Sequence, residues 1–111
     1  IEKVFFPGND KRHKEIAEKQ MDGFGGMMSF VIDSDINGVK TFLKNLNLFT
    51  LAESLGGVES LIEHPAIMTH ASIDPSIREK LGISETLLRI SVGIEDVDDL
   101  ISDLDQALSK I

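Results

Sequence analysis

Along Thr86–Val92 apolar and polar positions change over with every residue: Leu88, Ile90 and Val92 share one side, and Leu87, Arg89 and Ser91 share the other. That two-residue period is a β-strand's. Met27–Ile32 has the same period, with Met28, Phe30 and Ile32 opposite Met27, Ser29 and Val31. Both of its sides are largely apolar, which predicts a central strand. Elsewhere the period lengthens to that of a helix. Ile36, Val39, Phe42, Leu43 and Leu46 recur at helical spacing behind a capping Asp33-Ser34-Asp35. Val97, Leu100, Ile101, Leu104 and Leu108 do the same over Asp96–Lys110, with Glu95, Asp96, Asp98 and Asp99 at the first turn, where the helix dipole favours negative charge.

Weaker signals complete the outline. Val4–Phe6 is a short apolar run stopped by Pro7-Gly8. A polar helix capped by Asn9 or Asp10 runs to about Met21, with Ile16, Ala17 and Met21 as a thin apolar stripe. Leu48–Leu51 and Val58–Ile62 are candidate short strands. Asp74-Pro75 and Gly82 bracket a short helix with a cap, a proline at the first position and a glycine past the end, and Ile77 and Leu81 are spaced to touch within it. This order predicts a single α/β (α+β) domain over residues 1–111: two layers, a largely antiparallel sheet, and helices packed on one face.

Composition narrows the function. Nineteen acids against eleven bases give a net charge of −8, which argues against a nucleic-acid partner. No apolar run approaches the ~20 residues that span a bilayer, and no signal-peptide pattern opens the chain, so no membrane partner is expected. With no cysteine, disulfide and thiolate-metal chemistry are excluded, and a cytoplasmic setting is compatible. His64 and His70 are six residues apart without a helical register, and His13 sits among Lys and Arg; neither arrangement predicts a metal site. Gly23-Phe24-Gly25-Gly26 precedes a strand, whereas a phosphate cradle needs a following helix N-terminus, so a turn is expected. Ser54 has no hydrolase motif around it.

Arg89 is the residue that asks for a function. Arginine is rarely buried unpaired, and one set in an apolar strand needs an anion, best a carboxylate that matches its planar donors. That anion is either one of the chain's own acids, which spacing alone favours, or an external carboxylic acid.

The segments MDGFGGMMSFVI (21–32), SLGGVES (54–60), HPAIMTHAS (64–72) and LGISETLLRISVGIEDVDDLI (81–101) together resemble the C-terminal domain of the transsulfuration enzymes. These are the pyridoxal-phosphate (PLP) enzymes of cysteine and methionine metabolism, such as cystathionine γ-lyase and cystathionine γ-synthase. The resemblance covers Ile1 to Ile111 without insertion. It implies the small C-terminal domain of a fold-type I PLP enzyme, with Arg89 gripping the α-carboxylate of an amino-acid substrate. It further implies that Ser54 and Leu55 line the substrate pocket, that Glu53 bears on side-chain preference, and that Thr69 lies nearby. On this resemblance Leu55-Gly56-Gly57, which the residues alone read as a turn, becomes a pocket wall.

The PLP-binding lysine of such enzymes belongs to a larger N-terminal domain. No serine-x-threonine-lysine stretch occurs here, Lys40 lies on the polar side of a helix, and there is no Tyr or Trp to stack on a cofactor ring. The chain begins at Ile1 without methionine, which fits a part of a longer polypeptide. The expectation is therefore a substrate-orienting domain, inactive alone, whose partners are its own N-terminal catalytic domain and, as is usual in the family, a homotetramer. KNLNLFTLAESLGG (44–57) is slightly closer to the γ-lyase pattern, with γ-synthase as the alternative. Without the resemblance, a stand-alone amino-acid-binding regulatory domain or a purely structural module would also accommodate one strand arginine.

Overall fold

The structure is a computed structural model that describes residues 1–111. Five strands and four helices alternate along the chain: β1 (Lys3–Phe5), α1 (Lys11–Gln20), β2 (Met27–Val31), α2 (Ile36–Lys44), β3 (Thr50–Leu51), β4 (Leu61–Glu63), α3 (Pro75–Lys80), β5 (Leu87–Ser91) and α4 (Val97–Leu108). The strands form one sheet in the order β1-β2-β5-β4-β3. The β1–β2, β2–β5 and β4–β5 pairings are antiparallel, and only the short β3–β4 pairing is parallel. The arrangement is the largely antiparallel α/β sheet that the sequence predicts. β2 is interior as expected, although the middle of the sheet is β5.

Each helix starts at an aspartate. Asp10, Asp35, Asp74 and Asp96 accept hydrogen bonds from backbone N–H groups two or three residues ahead, between 2.9 and 3.2 Å. Such caps contribute about 0.5–2 kcal/mol each, which matters most for short helices. One sheet face carries Phe30, Ile62, Leu88 and Ile90, which pack with Val39 and Phe42 of α2 and Leu100 and Ala107 of α4 into a single core. Phe30 and Phe42 meet edge to face at 6.2 Å.

Several expected details differ. β4 begins at Leu61 and not at Val58, because Ser60 is held by Glu95 and leaves Val58 in the preceding loop, 65% exposed. β3 is confined to Thr50–Leu51. In α4, Val97 and Ile101 are exposed; Leu100, Asp103 and Ala107 are the buried positions. The helix is turned so that Asp103 can accept from the N–H groups of Asn47, Leu48 and Phe49. Glu95 precedes the Asp96 cap and does not sit in the first turn. In α3, Ile77 and Leu81, spaced to touch, are both exposed, and the buried residue is Arg78, which donates to the carbonyls of His70 and Ile73. No helix is long and apolar enough to cross a membrane.

Candidate functional site

The sheet face opposite α2 and α4 carries Leu61 and Glu63 of β4 and Leu87, Arg89 and Ser91 of β5. Register places Arg89 between Ser29 of β2 and Glu63 of β4. Leu61, Glu63, Leu87 and Ser91 are buried although no core helix lies over them. Part of their cover is the loop from Glu53 to Ser60, which folds back across β5.

Four hydrogen bonds fasten this loop. Gly56 N–H donates to Ser91 Oγ at 2.8 Å, and Arg89 Nη2 donates to the Glu53 carbonyl at 2.9 Å. Fully buried Ser60 gives both its N–H and its Oγ–H to the Glu95 carboxylate, at 2.8 and 2.9 Å. Two further bonds, Gly93 N–H to Ser60 Oγ at 2.8 Å and Ile94 N–H to the Val58 carbonyl at 2.9 Å, close the junction. The hydrogen bond from the Ser60 N–H holds the Glu95 carboxyl below the usual carboxylate range. Glycine is required twice. Gly56 has φ +75°, and a Cβ on Gly93 would overlap the Val58 carbonyl oxygen.

Arg89 does have an internal acid. Nη2 lies 2.8 Å from Glu63 Oε2, so the internal partner that spacing alone favours exists, at a residue that spacing did not single out. Glu63 is 1% exposed, whereas the Arg89 side chain keeps 26% of its surface open. The pair is therefore closed from below and reachable from above. Its short contact is not aligned as a hydrogen bond, and neither Glu63 oxygen has a hydrogen-bond partner. The attraction is one of charge, and the aligned bond of the guanidinium goes to Glu53.

The other candidate residues divide. Glu53, Ser54 and Leu55 are consecutive, exposed and carried by the loop that Arg89 anchors. Thr69 is exposed in the turns after β4; its Oγ1 is 2.7 Å from His70 Nδ1, and no hydrogen bond ties it to Arg89. The residues that sequence reasoning missed are Glu63, Ser60, Ser91 and Glu95. Glu63 was detectable only through the sheet register, because SLIEHP (60–65) places it beyond the strand that its apolar neighbours suggest.

No enclosed pocket surrounds Arg89. The largest hollow, about 660 Å³, lies between β1 and α1 and is lined by residues such as Phe5, Phe6, Ile16 and Met21. The chain's own residues also do not fit a resident PLP. Every lysine is exposed. The Gly23–Gly26 turn leads into β2 and not into a helix N-terminus, and its last carbonyl accepts from Val92 N–H at 2.8 Å, as strand pairing requires.

Comparison with known proteins gives this geometry its setting. A family model described as Cys/Met metabolism PLP-dependent enzyme matches residues 1–109. The chain is 57% identical to a cystathionine β-lyase of Lactococcus lactis subsp. cremoris over 111 residues, which is 99% of this chain and 29% of that protein. Its fold matches a cystathionine γ-lyase of Lactobacillus plantarum complexed with L-serine at a TM-score of 0.89, with 46% identity, 98% of this chain and 29% of the other. It matches a cystathionine γ-synthase of Xanthomonas oryzae pv. oryzae in complex with cystathionine at a TM-score of 0.89, with 50% identity, 97% of this chain and 28% of the other. This chain thus spans less than a third of each of these relatives. A partly open strand arginine, anchored to an exposed loop on a shared fold, and a family match over nearly every residue lead to one conclusion: the chain belongs to the PLP-dependent enzymes of cysteine and methionine metabolism.

Proposed function

We propose that this chain is the C-terminal, substrate-orienting part of a PLP-dependent enzyme acting on cystathionine or a closely related amino acid. The observation that carries the reading is Arg89, fixed through Nη2 to the loop backbone while a quarter of its side chain faces outward. Such a guanidinium binds a carboxylate by charge and by direction together, and so fixes a substrate's orientation as well as its affinity. Ser54 and Leu55 stand beside it as the wall, Glu53 bears on the distal side chain, and Thr69 borders the site more remotely. When bound, PLP supplies the electron sink that this chemistry needs. We assign its lysine and phosphate contacts to the rest of the polypeptide, since no lysine here lies in a site that would hold it.

Among specificities we favour γ-elimination, as in cystathionine γ-lyase, over γ-replacement by a γ-synthase; the β-lyase relatives add β-elimination as a third outcome. The same reading places the enzyme in the cytoplasm as a homotetramer. The exposed apolar side chains of Ile94, Val97 and Ile101 support burial of that surface in an assembly. The test is turnover of cystathionine by the PLP-loaded enzyme that carries this chain. Cysteine with 2-oxobutyrate marks γ-elimination, and homocysteine with pyruvate marks β-elimination. An enzyme that neither uses cystathionine nor forms it from an activated homoserine and cysteine would refute the proposal.

The Glu63 contact equally suits an arginine with a purely structural role. The two readings part on whether ligand affinity depends on the ligand's carboxylate.

A further inference from the structure

The acid beneath Arg89 is unlike the rest of the site. Glu63 is 1% exposed at the end of β4, beside the sheet's middle strand, and neither of its oxygens completes a hydrogen bond. Its only counter-charge is Arg89, 2.8 Å away and facing it across the β4–β5 register. Buried charges need a partner, and support of the fold alone would be served as well by an apolar pair of similar volume. Glu63 therefore carries a consequence for whatever else Arg89 binds.

That consequence follows from the shape of the guanidinium. It has five N–H donors in a plane, and a carboxylate can engage two of them at once along either of two edges. One edge joins Nε to Nη2 and the other joins Nη2 to Nη1; the third is blocked by Cδ. Both two-pronged edges include Nη2. Here Nη2 already donates to the Glu53 carbonyl and lies against Glu63. An incoming carboxylate thus shares its best edge with a resident one, and the two negative charges oppose each other across one cation.

Resting on the reading of Arg89 as the substrate-carboxylate residue, we infer that Glu63 is a positioning residue that sets the strength of that grip. It holds the guanidinium toward β4 and offsets part of its charge, so that the α-carboxylate is bound reversibly and not too tightly. Its effect is specific to anionic ligands. Two carboxylates about 6 Å apart at an effective dielectric near 20 oppose each other by about two powers of ten in affinity. Losing Glu63's hold on the guanidinium works the other way, and the net expectation for its neutral isostere is about a tenfold gain.

The test uses the PLP-loaded enzyme that carries this chain. Calorimetry measures binding of L-norleucine, which bears the α-carboxylate without a leaving group, and of L-norleucinamide, which lacks that charge. Glu63→Gln is expected to tighten norleucine about tenfold and to leave the amide unchanged. Glu63→Asp, which withdraws the carboxylate by one methylene, is expected to tighten norleucine by a smaller factor and serves if the glutamine variant does not fold. Unchanged or weakened norleucine binding in the variants overturns the role of Glu63. Arg89→Lys, run alongside, separates the two readings. If it keeps the wild-type preference for acid over amide, the carboxylate role of Arg89 itself falls, and the inference falls with it. If it loses that preference while Glu63→Gln has no effect, only the inference about Glu63 is lost.

Discussion

Replacing Asp103 by asparagine removes one negative charge and little else, and the structure sets the expected cost. Asp103 is 5% exposed on α4 and accepts from the N–H groups of Asn47 and Leu48 at 2.8 Å and of Phe49 at 3.3 Å. Burial pushes its carboxyl up, but the three backbone donors and Gln106 outweigh this and hold it below its ordinary value of 3.8. Hydrogen bonds to a charged acceptor contribute about 1.5–3 kcal/mol, and unsatisfied buried donors cost a similar amount. Asparagine keeps one acceptor oxygen and turns its NH₂ toward the remaining N–H groups. A loss of about 2–3 kcal/mol is therefore expected. The assay is urea unfolding of wild type and Asp103→Asn at pH 7 and again near pH 3. Because the folded value lies below the unfolded one, the carboxylate's contribution is fully present above the unfolded value and is lost as pH falls through the folded value. The gap between the two proteins should be wide at pH 7 and narrow in acid. Equal stability at pH 7, or a gap that does not shrink in acid, would refute the reasoning.

Two further predictions concern the loop that bears the site. Glu95→Gln loosens the clasp on Ser60, so KM for the amino-acid substrate should rise with kcat little changed; since the Glu95 carboxyl is held low, wild type should lose this advantage only as pH falls below the ordinary carboxylate range of about 4.5, and a kcat defect with normal KM would argue against a positioning role. Gly93→Ala forces a Cβ into the Val58 carbonyl and should cost about 1–3 kcal/mol in thermal unfolding, whereas an unchanged melting temperature would contradict the tight packing of the β5–α4 junction.

The fold was largely legible because its signals are local. Aspartate caps, the Pro75 start of α3 and the two-residue alternation of β2 and β5 act within a few residues, and all four helices and both long strands lie where they predict. What stayed hidden depends on partners distant in sequence. Val97 and Ile101 read as core, but the orientation of α4 is set by Asp103 bonding to a loop more than fifty residues away. Arg78 is buried on α3 because the carbonyls that it satisfies lie in the preceding turns, which no local pattern announces. At the site, Arg89 stood out as a charge in an apolar strand. Glu63 did not, since only the β4–β5 register brings it alongside.

Arg89→Lys in the PLP-loaded enzyme, read as kcat/KM for cystathionine together with cofactor absorbance, tests the central claim most directly. Lysine keeps the charge and loses the two-pronged geometry, so kcat/KM should fall about 10- to 100-fold, mostly through KM, with the cofactor fully retained. A kcat/KM within about twofold of wild type would contradict the account and leave Arg89 as no more than the partner of Glu63.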